Sequence, residues 1–114
     1  MPQELEPPLT PAVFFTLFAL ASGDKHGYAI MQETRSLSDG SFRMGPATLY
    51  TTLQRLLELG LVEEVPGDMG TDSRRRTYRL GGSGRALLEA ELGRVEALLR
   101  KARAMRPRLG HVKP

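Results

Sequence analysis

Met44-Gly45-Pro46-Ala47-Thr48-Leu49-Tyr50-Thr51-Thr52-Leu53-Gln54-Arg55-Leu56-Leu57-Glu58-Leu59-Gly60 reads as one helix with both ends marked. Pro46 suits the first helical position, where its missing N–H removes no hydrogen bond. Gly60 suits the left-handed position just past the last turn. Leu49, Leu53, Leu56 and Leu57 recur at helical spacing and form one apolar face. Thr48, Thr51, Thr52 and Arg55 share another, at offsets of three and four. An ordinary solvated face carries Glu and Lys, whereas this one carries short hydroxyls and one arginine. Short hydroxyls can sit close to a phosphate or a base edge, and an arginine can fork onto phosphate or guanine. Taken alone, the stretch also fits a core helix with a threonine-rich exposed side, so its neighbours decide.

Upstream, Met1 to Pro8 is acidic and proline-rich and reads as a loose arm. Thr10-Pro11 is a good helix start, a capping hydroxyl followed by a proline. Ala12 to Ala21 is apolar nearly all round, so the helix is expected to be buried on more than one side. In a small domain either the monomer core or a second subunit can provide that burial. Phe14 and Phe18 are therefore candidate dimer contacts. Ser22-Gly23-Asp24-Lys25 is a turn. A second helix follows, roughly His26 to Ser36, then the loop Ser38-Asp39-Gly40-Ser41. His26 has no second ligand or nucleophile near it in the sequence and reads as a capping or packing group.

Downstream of Gly60 the period changes. Leu61 to Val65 reads as a short strand, Pro66 to Ser73 as a turn, and Arg74-Arg75-Arg76-Thr77-Tyr78-Arg79-Leu80 as a second strand. Together they make a hairpin with three arginines on its tip side. Gly81-Gly82-Ser83-Gly84 then breaks into a last helix, about Arg85 to Met105 and ~30 Å long. Leu88, Leu92, Val95, Leu99 and Ala102 step along it by four, three, four and three, a heptad seam. Such a seam needs cover, either from its own domain or from a second copy, and the second copy is the simpler remedy for so long a stripe. Arg106 to Pro114 is basic and lacks periodicity, so it is expected to be disordered.

The fold class expected is mostly α with a small β-hairpin, a winged helix-turn-helix followed by a long carboxy-terminal dimerisation helix. The divisions are an arm at 1–8, the winged domain at 9–82, the helix at 83–106 and the tail at 107–114. The third helix is narrow enough for the major groove, where base edges are distinguishable. A basic hairpin can reach neighbouring phosphates or the minor groove.

Composition agrees with one small domain. Of the 114 residues, 40% are hydrophobic and 25% charged. The net charge of +3 is uneven. Residues 1–60 hold four basic and six acidic residues, giving −2, and residues 61–114 hold twelve and seven, giving +5. Without cysteine there is no disulfide framework and no zinc–thiolate site. The only imidazoles are His26 and His111, and no phosphate-cradling glycine loop ends in Lys-Ser/Thr. Gly67 to Asp72 lacks the alternating acids and the glutamate of a calcium loop. No enzyme activity, cofactor or metal is expected. The acidic amino terminus does not fit a secretory signal, and the longest apolar run is too short for a bilayer, so a cytoplasmic protein is expected.

The chain resembles PadR-type transcriptional regulators. The resemblance rests on Leu9-Thr10-Pro11 with the apolar first helix, His26-Gly27-Tyr28-Ala29-Ile30, and Thr48-Leu49-Tyr50 with Leu53 and Arg55-Leu56. Gly60-Leu61-Val62, Arg75-Arg76-Thr77-Tyr78-Arg79-Leu80 and Gly84-Arg85 complete it, over about residues 9–92. It implies a winged-helix dimer on operator DNA, usually a repressor, with Tyr50 as a DNA-backbone contact. The family usually has proline where Thr51 stands and threonine where Gly81 stands. Ser83 is a candidate to replace the capping hydroxyl that Gly81 lacks. Thr48, Thr51, Thr52 and Arg55 are expected to face the groove, with Tyr50, Arg43, Arg74, Arg75 and Arg76 on phosphates. The expected partners are double-stranded DNA with a palindromic site, a second copy, and an unidentified small-molecule effector, with no membrane. The alternative is a winged-helix module that dimerises and binds protein without an operator.

Overall fold

Pro46 and Gly60 bracket a helix as expected, α3 at Pro46–Glu58. Gly60 takes φ +75°, the left-handed region. The Leu61 N–H then reaches the Leu56 carbonyl at 2.9 Å and the Gly60 N–H the Leu57 carbonyl at 3.1 Å, closing the last turn. The computed structural model describes residues 5–65 and 76–110. Leu49, Leu53 and Leu56 are all but inaccessible, and they pin α3 to the rest of the domain.

Helix α1, Pro11–Leu20, is the centre of that domain. Thr10 caps it, its Oγ1 accepting from the Val13 N–H at 3.4 Å. The helix packs against α2 (Gly27–Leu37), α3, α4 (Gly82–Leu109) and β3 (Thr77–Leu80). Its one polar interruption, Thr16, is buried and donates to the Ala12 carbonyl at 2.7 Å, so no hydroxyl is stranded there. Phe14 and Phe18 are half-buried against the same core, 5.3 Å apart between ring centroids.

The hairpin of β2 (Val62–Glu64) and β3 is joined by a two-residue strand, β1 (Lys25–His26), in the order β1-β3-β2, all antiparallel. Val62 faces Leu80, Glu64 faces Tyr78, and Lys25 faces Tyr78 from the other side. A strand of two residues has no alternation to read, so the turn cluster at 22–25 hid it. Side chains hold this junction too. Arg79 donates to both carboxylate oxygens of Asp24, at 3.3 and 3.0 Å. His26 Nδ1 lies 3.1 Å from Thr77 Oγ1 and 3.3 Å from the Arg76 carbonyl. His26 thus tethers the start of α2 to β3 from an exposed position, without packing into the core and without a side-chain cap bond of its own.

The last helix is longer than its sequence periodicity suggested. It begins at Gly82 and runs through Pro107 to Leu109, taking in the first residues of the stretch expected to be a disordered tail. Pro107 lacks one N–H, so the helix continues past it with one hydrogen bond fewer. Residues 111–114 lie outside the described residues. Ser83 does not cap α4, since its hydroxyl donates to the Gly60 carbonyl at 3.0 Å instead. Gly84 lies so close to the Leu61 carbonyl that a Cβ there would overlap it. That contact lets the first turn of α4 sit directly on the end of α3.

Farther along α4, Glu91 is a carboxylate 2% exposed. It accepts from the Leu9 N–H at 3.0 Å and from Arg94 at 2.6 and 3.3 Å. The bonds from Arg94 hold its carboxyl below the usual range, burial works against them, and the Leu9 N–H assists. Leu5 is half-buried against the core, so part of the expected loose arm is tied down.

Replacing Glu91 by Gln keeps an acceptor for Leu9 but removes the charge paired with Arg94. At neutral pH the variant is expected to be less stable by on the order of 1–3 kcal/mol. The folded carboxyl titrates below its unfolded value, so its stabilisation is present above that value and lost as pH falls through the folded one. Urea unfolding should therefore show the gap closing below about pH 4. A gap independent of pH would mean that Glu91 contributes packing and not charge.

Candidate nucleic-acid interface

With Leu49, Leu53 and Leu56 turned inward, α3 presents Ala47, Thr48, Thr51 and Arg55 to solvent, with Thr52 half-exposed at their edge. Ala47, Thr48, Thr51 and Thr52 line one shallow depression. The hydroxyl face expected from the sequence is therefore a real surface, with Arg55 as its cation and the exposed Glu58 at its carboxy-terminal end. Arg43 is exposed in the loop leading into the helix.

Tyr50 is half-buried at the side of this face. Its ring lies against the first turn of α2, where a Cβ on Gly27 would come within 2.5 Å of the phenol oxygen. The glycine between His26 and Tyr28 thus gives Tyr50 its place. The phenol sits at the junction of α2 and α3, between core and surface.

Between α3 and the wing runs a cleft of about 430 Å³, with Tyr50, Gln54 and Glu58 on one wall and Glu64, Arg76 and Tyr78 on the other. Arg76 is engaged there, its Nη1 3.3 Å from Glu64 Oε1 with both side chains half-exposed. Burial, and then the nearby Glu64 carboxylate, push the Tyr78 phenol up. Arg74 and Arg75 lie outside the described residues. The Glu64–Arg76 pair was not legible in the sequence: Glu64 read only as a polar strand residue, and its partner emerges once the register puts it opposite Tyr78. Among the described residues no cluster of three or more metal-ligating side chains occurs.

The seam residues of α4 divide. Leu88 is buried in the chain's own core and Leu92 half-buried, whereas Val95, Leu99 and Ala102 are exposed. Leu98 at 56% and Met105 at 49% widen the exposed stripe. Among the described residues no helix is long and apolar enough to cross a membrane.

The profile of the transcriptional regulator PadR-like family matches residues 16–90. A transcriptional regulator of Mycobacterium tuberculosis is 39% identical over 82 residues, 71% of this chain and 72% of that protein. An uncharacterized protein of Lysinibacillus sphaericus is 37% identical over 65 residues, 57% of this chain. The match spans 60% of that relative's length. In fold, a PadR family transcription regulator from Clostridium difficile matches with a TM-score of 0.67 at 18% identity, covering 84% of this chain and 98% of that one. The chain belongs to the PadR-like family of transcriptional regulators.

Glu64→Gln would leave Arg76 without its carboxylate and remove a negative charge from the wing. The variant is expected to bind a scrambled DNA duplex severalfold more tightly at low salt. The slope of log affinity against log salt should steepen by up to ~1. Fluorescence anisotropy across a salt series is the check, and an unchanged slope would place Arg76 away from phosphate.

Proposed function

We propose that this PadR-like chain is a homodimeric, sequence-specific DNA-binding regulator, a repressor, that acts in the cytoplasm. The observation that carries the reading is the outer face of α3, where three threonines and Arg55 stand together and Glu58, at the far end, is the one carboxylate. Thr48, Thr51, Thr52 and Arg55 read base edges in the major groove. Tyr50, Arg43 and the wing arginines Arg74, Arg75 and Arg76 hold phosphates. The winged unit, residues 9–82, binds one half-site.

The second half of the reading is assembly. Val95, Leu98, Leu99, Ala102 and Met105 form an exposed, largely apolar stripe on α4 that one chain leaves in water. A second copy covers it, continuing the seam begun by Leu88 and Leu92, with Phe14 and Phe18 at its inner end. Two-fold symmetry then sets two recognition helices side by side, so the operator is palindromic. A small-molecule effector, where one acts, binds at the dimer interface. The repressive sign follows the family's usual habit.

Arg55→Ala is expected to cost discrimination between operator and random DNA, on the order of 1–3 kcal/mol for a bidentate base contact. Equal losses on both duplexes would move Arg55 to the backbone. A Leu98→Asp, Leu99→Asp variant should sediment as a monomer and lose operator affinity by tenfold or more, with the winged domain still folded by circular dichroism. A variant that remains dimeric would place the interface elsewhere.

A further inference from the structure

We infer that the distal half of α4 is a second nucleic-acid-binding surface, which takes the sugar-phosphate backbone of a duplex other than the one on α3. The inference rests on the reading of the chain as a dimer that lays α3 against DNA. The positive excess of the chain does not lie in the winged unit. Residues 9–82 hold eight basic and eight acidic residues and are neutral. Residues 1–96 together hold ten and thirteen, a net of −3. Residues 97–114 hold six basic residues and no acidic one, a net of +6. Five of those six, Arg100, Lys101, Arg103, Arg106 and Arg108, stand on α4, and all five are exposed. None has an ion-pair partner among the described residues.

A structural role does not account for the cluster. The helix dipole favours cations only within the last turn, which covers Arg106 and Arg108 and leaves Arg100, Lys101 and Arg103. Glu96 is the last carboxylate side chain of the sequence, and of the five cations only Arg100 stands four residues from it. Arg103 stands three residues from both Arg100 and Arg106, a like-charge spacing that weakens a helix. Arg100, Lys101, Arg103 and Arg108 lie outside the stripe of Leu98, Leu99, Ala102 and Met105, with Arg106 at its edge, so a second copy covers the stripe and leaves these four in water. Their place in the fold excludes the duplex on α3. Helix α1 packs against both α3 and α4, and those two meet only where the first turn of α4 sits on the end of α3. The rest of α4 therefore lies across α1 from the outer face of α3. The chemistry selects phosphate: four of the five cations are arginines, whose planar fork matches it. Arg100 to Arg108 spans ~12 Å of helix, beside which a duplex carries roughly seven phosphate charges. An anionic lipid surface fits less well, since α4 has no aromatic residue and its apolar stripe is taken up in the dimer.

The test is a bridging assay with the whole chain. The duplex upstream of the chain's own coding sequence is immobilised and loaded with protein, and capture of a labelled scrambled duplex is followed across a salt series. The wild-type chain is expected to capture the second duplex at low salt and to release it steeply as salt rises. An Arg100→Gln, Lys101→Gln, Arg103→Gln, Arg108→Gln variant is expected to load as the wild type does and to lose capture by tenfold or more. An Arg100→Lys, Arg103→Lys, Arg108→Lys variant keeps the charge and is expected to retain capture. Wild-type loading without capture overturns the inference and leaves the role of α3 intact. A glutamine variant that loses loading and capture together places these cations on the first duplex, and one that sediments as a monomer places them in the dimer interface; either overturns the inference. A lysine variant that loses capture as completely as the glutamine variant overturns the assignment to charge. Capture of phosphatidylglycerol vesicles in place of the scrambled duplex makes lipid the occupant and overturns it as well. Failure of the wild-type chain to bind either duplex at low salt overturns the inference together with the reading it rests on.

Discussion

Burial of Leu49, Leu53 and Leu56 is the interaction on which the rest depends. Fully burying one leucine stabilises by about 1.5–3 kcal/mol. Three of them on one helix are comparable with the whole net stability of a small domain, roughly 5–15 kcal/mol. A half-turn rotation of α3 would forfeit that sum, so the orientation of its opposite face is fixed without any contribution from that face. The threonines are thereby released from structural duty. A helix end that must turn at Gly60, and a following helix that must settle on Leu61 through Gly84, complete the frame around it.

Electrostatics divides these arginines into three groups. Arg79 ties β3 to Asp24, and Arg94 satisfies the buried Glu91, so these two charges hold the fold. Arg76 is held more loosely, by a half-exposed carboxylate that a phosphate could outcompete. Arg35, Arg43 and Arg55 have no ion-pair partner among the described residues, and all lie on or beside α2 and α3. The net charge of +3 says little about anion binding here; which positive charges are already spent says more.

The fold was legible because its signals were periodic. Leucines at helical spacing, proline and glycine at the two ends of α3, and alternation in Thr77 to Leu80 each rest on many residues agreeing. The exposure of Thr48, Thr51 and Arg55 was legible for the same reason, as the complement of the leucine face. Features made by single residues far apart in sequence were not. Strand β1 has two residues, and its existence depends on β3, some fifty positions away. The bond from Leu9 to Glu91 spans 82 residues. Within the heptad pattern Glu91 looks like a flanking solvent position, yet the close approach of α1 buries it. The reach of α4 past Pro107 was hidden because the basic residues there carry no apolar period to read.

The central claim, that α3 reads a DNA sequence, is tested most directly by anisotropy at near-physiological salt. The DNA upstream of the chain's own coding sequence is compared with a scrambled duplex of the same composition. The expected result is a preference of about a thousandfold or more for the native duplex. Equal affinity for the two duplexes, or no binding to either at low salt, would contradict it, and the second result would make a protein partner the occupant of the α3 face.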